Sequence, residues 1–113
     1  MTFHPLEKTD NLHPEYRQSF RVDGYHLLLL MHENEPYLLD NICPHAGYPM
    51  EQGKVIEGKL RCPMHGYLFR LENGDCTFHP EGPCRGIQVY DVVIKGGDVG
   101  VYLEENSGPQ REG

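Results

Sequence analysis

The 113-residue chain is predicted to be all-β, on three observations. Thirteen glycines and nine prolines, nearly one residue in five, punctuate the backbone and favour short strands and loops over long helices. No stretch of ten or more residues carries a helical apolar period. Short apolar runs are instead separated by the turn dipeptides Asp23-Gly24, Glu57-Gly58 and Gly96-Gly97.

A short turn of helix is expected around Glu7 to Leu12. Residues 18–22 and 25–32 then read as two strands joined at Asp23-Gly24, and Glu33-Asn34-Glu35 turns the chain into a third strand, 36–40. Val55-Ile56 and Lys59-Leu60-Arg61 flank Glu57-Gly58 as a small hairpin. Residues 67–71 read as a strand stopped by Glu72-Asn73-Gly74-Asp75, and a loop rich in Pro and Gly runs from 79 to 86. The closing hairpin has 87–94 as one strand and Gly96-Gly97 as its turn. Val99, Val101 and Leu103 form the alternating apolar face of the return strand. The polar tail 105–113, with Gly108-Pro109, is expected to be disordered. This divides a single domain, 1–104, into a β base (1–41 and 82–104) and an inserted lobe (42–81).

At 13.0 kDa the chain has room for one domain and not for a second catalytic module. Its start, Met1-Thr2-Phe3-His4-Pro5, lacks the features of a secretory signal. The longest apolar run, Leu27-Leu28-Leu29-Leu30-Met31, falls far short of the ~20 residues a membrane helix needs. A soluble, cytoplasmic protein with no membrane partner is expected. The net charge of -7 repels nucleic-acid phosphates; it serves solubility or steers the chain toward basic surfaces on redox partners. No Gly-x-Gly-x-x-Gly fingerprint for a dinucleotide is present in the sequence.

The chemistry-bearing pattern is Cys43-Pro44-His45 and Cys62-Pro63-Met64-His65, separated by residues 46–61. Two thiolates and two imidazoles suit tetrahedral zinc. They also suit a [2Fe-2S] centre with both thiolates on one iron and both imidazoles on the other. Against zinc, structural sites usually pair their cysteines and follow them with a helix bearing spaced histidines, whereas the segment after His65 reads as strand. Pro44 and Pro63 stiffen the two loops, while Gly47 and Gly66 permit turns that aim backbone amides at sulfur. Tyr48, Met50 and Tyr67 either pack around the centre or belong to the ordinary core. Cys76 and Cys84 are expected to be buried free thiols in a reducing compartment, in preference to the alternative of a structural bridge between them. His4, His13, His26 and His32 have no Cys or carboxylate at metal-binding spacing, and a structural role is favoured for His79 beside Pro80.

On those two Cys/His pairs the chain resembles Rieske-type ferredoxins, from about Phe3 to Glu104. Phe3-His4-Pro5-Leu6, Asn41-Ile42 before the first pair, Ala46-Gly47 and Gly66 after the pairs, Asn73-Gly74 and the valine-rich closing hairpin extend the resemblance. It implies three stacked antiparallel sheets with an inserted cluster-binding lobe. It also implies one [2Fe-2S] cluster per chain, held by Cys43, His45, Cys62 and His65 at the tips of two loops, with a proline-rich third loop at 79–83 as cover. Two neutral imidazoles in place of two thiolates make the oxidised core less negative, which raises the potential above that of a plant-type ferredoxin. They further imply a potential that falls with pH once the imidazoles ionise.

Departures narrow the branch. Rieske proteins of quinol-oxidising complexes carry an extra loop cysteine at each of the places held here by Tyr48 and Met64, so that disulfide cannot form. The same branch has hydroxyl donors where this chain has Tyr67, too long to copy a serine, and Phe69, which has no donor. The chain thus resembles the low-potential branch serving bacterial ring-hydroxylating oxygenases. The implied function is a soluble, monomeric one-electron carrier, not itself an enzyme, between a flavin- and NAD(P)H-dependent reductase and a terminal oxygenase. The alternative is a small Rieske subunit of a nitrite reductase or another oxidoreductase complex.

Overall fold

The computed structural model describes residues 1–44, 47–64 and 66–104; the tail expected to be disordered lies outside them. Its strands are β1 (Thr2–Lys8), β2 (Arg17–Val22), β3 (Tyr25–His32), β4 (Glu35–Asp40), β5 (Lys54–Ile56), β6 (Lys59–Arg61), β7 (Leu68–Arg70), β8 (Cys76–Phe78), β9 (Val89–Tyr90), β10 (Val93–Lys95) and β11 (Asp98–Leu103). They form three antiparallel sheets, as expected, in the orders β1-β11-β10, β2-β3-β4-β9 and β5-β6-β7-β8.

Turn chemistry sets the pairing. Asp23-Gly24, Glu33-Asn34, Glu57-Gly58 and Gly96-Gly97 all have positive φ at both residues, the geometry of two-residue turns whose twist matches the flanking strands. Each closes a hairpin in the register its length dictates, such as Val22 opposite Tyr25 and Ile56 opposite Lys59.

The leucine run lies in β3, and its two faces are both buried. Leu27 and Leu29 pack into one core with Leu38, Val99, Val101 and Leu103. Leu28 and Leu30 enter a second core with Leu39, Leu60, Tyr67, Phe69 and the cysteines Cys43 and Cys62. A strand covered on both faces reads as continuous apolar sequence, which is why the run does not alternate. Each buried leucine contributes about 1.5–3 kcal/mol, and β3 thereby joins the base sheets to the sheet carrying the second Cys/His loop.

Three elements depart from the sequence reading. The first residues form β1, paired with β11, and only a 3-10 turn, Thr9–Asn11, lies within the expected helical segment. β8 carries too few apolar residues to announce itself and is defined by pairing to β7 through Phe69 and Cys76. The single strand expected over 87–94 is two: Val89–Tyr90 pairs with β4, and Val93–Lys95 pairs with β11. The exposed Asp91 marks the crossing between the two sheets. No helix among the described residues is long and apolar enough to cross a membrane.

Candidate metal centre

Two loops of the same construction hold Cys43 and Cys62. The first runs from the end of β4 to a 3-10 turn, Met50–Gln52, and the second joins β6 to β7. In each, the cysteine amide donates to a carbonyl five residues ahead: Cys43 to Tyr48 at 2.9 Å, and Cys62 to Tyr67 at 2.7 Å. Gly47 and Gly66 fold back inside these loops, donating to the carbonyls of Cys43 (2.8 Å) and Met64 (2.7 Å). Both have φ near +70°, which a side-chain-bearing residue rarely adopts. Bridge pairing between Ile42 and Pro49 closes the neck of the first loop.

The two cysteines are buried in one core, near enough for the charge of one thiol to act on the other. Burial first, and then the neighbouring Cys43 thiol, pushes the Cys62 thiol up to about 11. Paired thiolates in so dry a place need a neutralising cation, so this pair suits a soft or borderline metal and not a solvent-facing nucleophile. Iron bound through two cysteinate sulfurs fits that requirement. His45 and His65, the other two expected donors, lie outside the described residues.

The surroundings separate into wall and rim. Met50, Leu60, Tyr67 and Phe69 are fully buried around the cysteines. Met50 and Tyr67 are therefore core residues packed against the centre. Tyr48 is not; it is 41% exposed, and with Ile42 and Met64, each 39% exposed, it forms an apolar rim on the outside of the loops. Burial pushes the Tyr67 phenol up, and Glu81 of the proline-rich third loop lies near enough to this wall to act on its charge. His79, on the same loop, is exposed.

A polar brace that the sequence did not announce fixes the first loop to the base. Asn41, fully buried two residues before Cys43, donates from Nδ2 to Glu51 Oε1 at 2.8 Å and to the ring Nε2 of His26 at 3.1 Å. Its backbone N–H donates to the His26 carbonyl, and its carbonyl accepts from Met50. Arg17, on β2, donates to the carbonyls of Glu51 (3.0 Å) and Gly53. The pairing of long polar side chains with distant backbone carbonyls has no spacing signature. Cys76 and Cys84 form a second thiol pair, half-buried and free. Burial and the contact with Cys76 push Cys84 up to about 12. Among the described residues no three His, Cys, Asp or Glu side chains converge, so the four cysteines are two pairs and not one tetrathiolate site.

Comparison with known proteins agrees with this geometry. A family model of the Rieske [2Fe-2S] domain matches residues 2–93. The chain is 34% identical over 91 residues to chlorophyllide a oxygenase of Chlamydomonas reinhardtii, covering 77% of this chain but only 14% of that much longer protein. It is 31% identical over 86 residues to the ferredoxin component of the alkene monooxygenase system of Xanthobacter autotrophicus, covering 75% of this chain and 68% of the relative. Among solved structures, the ferredoxin of carbazole 1,9a-dioxygenase from Nocardioides aromaticivorans IC177 superposes with a TM-score of 0.80 at 26% identity, over 92% of this chain and all of that one. The fold, the paired buried thiols and the extent of the family match lead to one conclusion: the chain belongs to the Rieske [2Fe-2S] family, with one [2Fe-2S] cluster per chain.

Proposed function

We propose that the protein is a soluble one-electron carrier in which Cys43 and Cys62 hold one iron of the cluster and His45 and His65 the other. It takes electrons from a flavin-dependent NAD(P)H reductase and passes them to a terminal oxygenase of the ring-hydroxylating type. The observation that carries this reading is the matched pair of loops, each presenting a buried cysteine inward and an apolar rim outward. The alkene monooxygenase and carbazole dioxygenase ferredoxins, which the chain matches over most of its own length, support an oxygenase system over other settings.

When bound, the cluster supplies a single reversible electron. The chain does the rest. The buried thiols of Cys43 and Cys62 would supply thiolate charge to one iron, and the imidazoles of His45 and His65 would leave the other closer to neutral, which would lower the cost of an added electron. Tyr67, Phe69, Met50 and Leu60 exclude water from the thiolate side. Ile42, Tyr48 and Met64 are exposed apolar side chains available to a partner, with apolar contact rather than fixed salt bridges holding the docked complex.

The test is reconstitution. Reduced protein should stimulate turnover by a reductase and oxygenase pair in proportion to its concentration, and should oxidise no substrate alone. Substrate consumption by the purified chain would end the carrier reading.

A further inference from the structure

Cys76 and Cys84 take no part in the site just described. Cys76 opens β8, and Cys84 follows Pro80 and Pro83 in the third loop. The backbone brings these segments side by side. Ile87 N–H donates to Gly74 O at 2.8 Å. A Cβ on Gly74 would stand 1.9 Å from Ile87 O, and one on Gly86 would stand 2.6 Å from Gly74 O, so the two strands of chain touch with no side chain between them. Two residues forward from Gly74 and two back from Gly86, the antiparallel course sets Cys76 against Cys84. There both side chains pack, half-buried, against the core that contains Cys43 and Tyr67, near enough for the charge of one thiol to act on the other. Each has an oxygen acceptor of its own, Phe78 O for Cys76 at 3.6 Å and Arg85 O for Cys84 at 3.1 Å. Two thiols with no third donor among the described residues are too few for a zinc site, but they are the whole requirement for a disulfide.

We propose that Cys76 and Cys84 are a reversible disulfide site that fastens the proline-rich loop to β8, with a small-molecule disulfide such as oxidised glutathione as the oxidant. One cysteine, as thiolate, attacks a sulfur of that disulfide; its S–S bond breaks and one glutathione leaves. The second cysteine then displaces the remaining glutathione from the mixed disulfide. Two electrons pass from the protein sulfurs to the small disulfide, and the two protein thiol protons end on the two glutathiones released. The bridge closes a short loop, residues 77–83, most of which is exposed, and a covalent tie at its two ends restricts the opening of its backbone. The proposal does not depend on the electron-carrier reading.

The experiment uses the cluster-loaded protein without oxygen, equilibrated in glutathione buffers from fully reduced to fully oxidised and then alkylated. One tryptic peptide, residues 71–85, contains both cysteines. In the oxidised buffers this peptide should lose two hydrogens in mass and resist alkylation, while the visible spectrum of the cluster stays unchanged. Amide exchange over 77–83 should slow about tenfold. In Cys84→Ser the same treatment should leave a glutathione adduct on Cys76 and no slowing. The proposal is overturned by full alkylation of both cysteines in oxidised glutathione, by bridges running instead to Cys43 or Cys62, or by exchange rates that do not change.

Discussion

Asn41 is the sole fully buried polar side chain among the described residues, and its two donors are both used. Asn41→Ala removes the brace from Glu51 and His26 and leaves both facing a dry gap. It should cost about 1–3 kcal/mol in urea unfolding, and the cluster should be lost at lower denaturant than global unfolding. Unchanged stability would make the brace incidental. The same geometry fixes the protonation of His26. Its Nε2 accepts from Asn41, which requires the neutral ring, and burial first, then Arg21, lowers its pKa below the ordinary 6.5. The unfolded chain therefore binds a proton that the folded chain refuses in the window from 6.5 downward. Stability contributed by neutral His26 is present above 6.5 and is lost as pH falls through the lowered value. Urea midpoints measured down this window should decline less steeply in His26→Gln than in the natural chain; identical slopes would refute the assignment. None of this was legible in the sequence, because His26 and Asn41 lie 15 residues apart and meet only through the fold. The buried pair Cys43 and Cys62 drew attention in the sequence, since each cysteine and its glycine and proline neighbours are local in the chain.

At the scale of elements, hairpins were read well and sheet exchange was not. Dipeptides with positive φ carry their own signal, so β2 through β6 and the final turn fell where expected. The break at Asp91 did not, because 87–94 is apolar enough for one strand and only the presence of two different sheet edges divides it. β1 was missed for a related reason: its pairing partner, β11, stands at the other end of the chain. The doubly buried β3 gives the clearest test of how elements support the centre. Leu27→Ala and Leu28→Ala should each cost about 2–5 kcal/mol, measured by thermal or urea unfolding. Leu28 packs in the core that holds Cys43 and Cys62, whereas Leu27 packs against β11. Only Leu28→Ala should also speed cluster release to a chelator under native conditions. Equal release from both variants would mean that the two cores are not mechanically distinct.

At the scale of the whole molecule, charge and rim act on association in different ways. The net charge of -7 reaches about a Debye length, roughly 10 Å at 0.1 M salt, whereas the apolar rim of Ile42, Tyr48 and Met64 acts only on contact. Reduction by a partner with a basic face should therefore slow as salt rises, and Met64→Ala should weaken the docked complex at every salt concentration; a salt-independent rate would assign docking to the rim alone. The account as a whole stands on one mixed-ligand cluster held by Cys43, Cys62, His45 and His65. Its most direct test is electron paramagnetic resonance of the dithionite-reduced protein, purified without oxygen, with iron and acid-labile sulfide assayed on the same sample. The account predicts equal iron and sulfide at two of each per chain, with a rhombic signal whose average g lies below that of an all-cysteine cluster. A colourless, signal-free protein carrying a single zinc would contradict it.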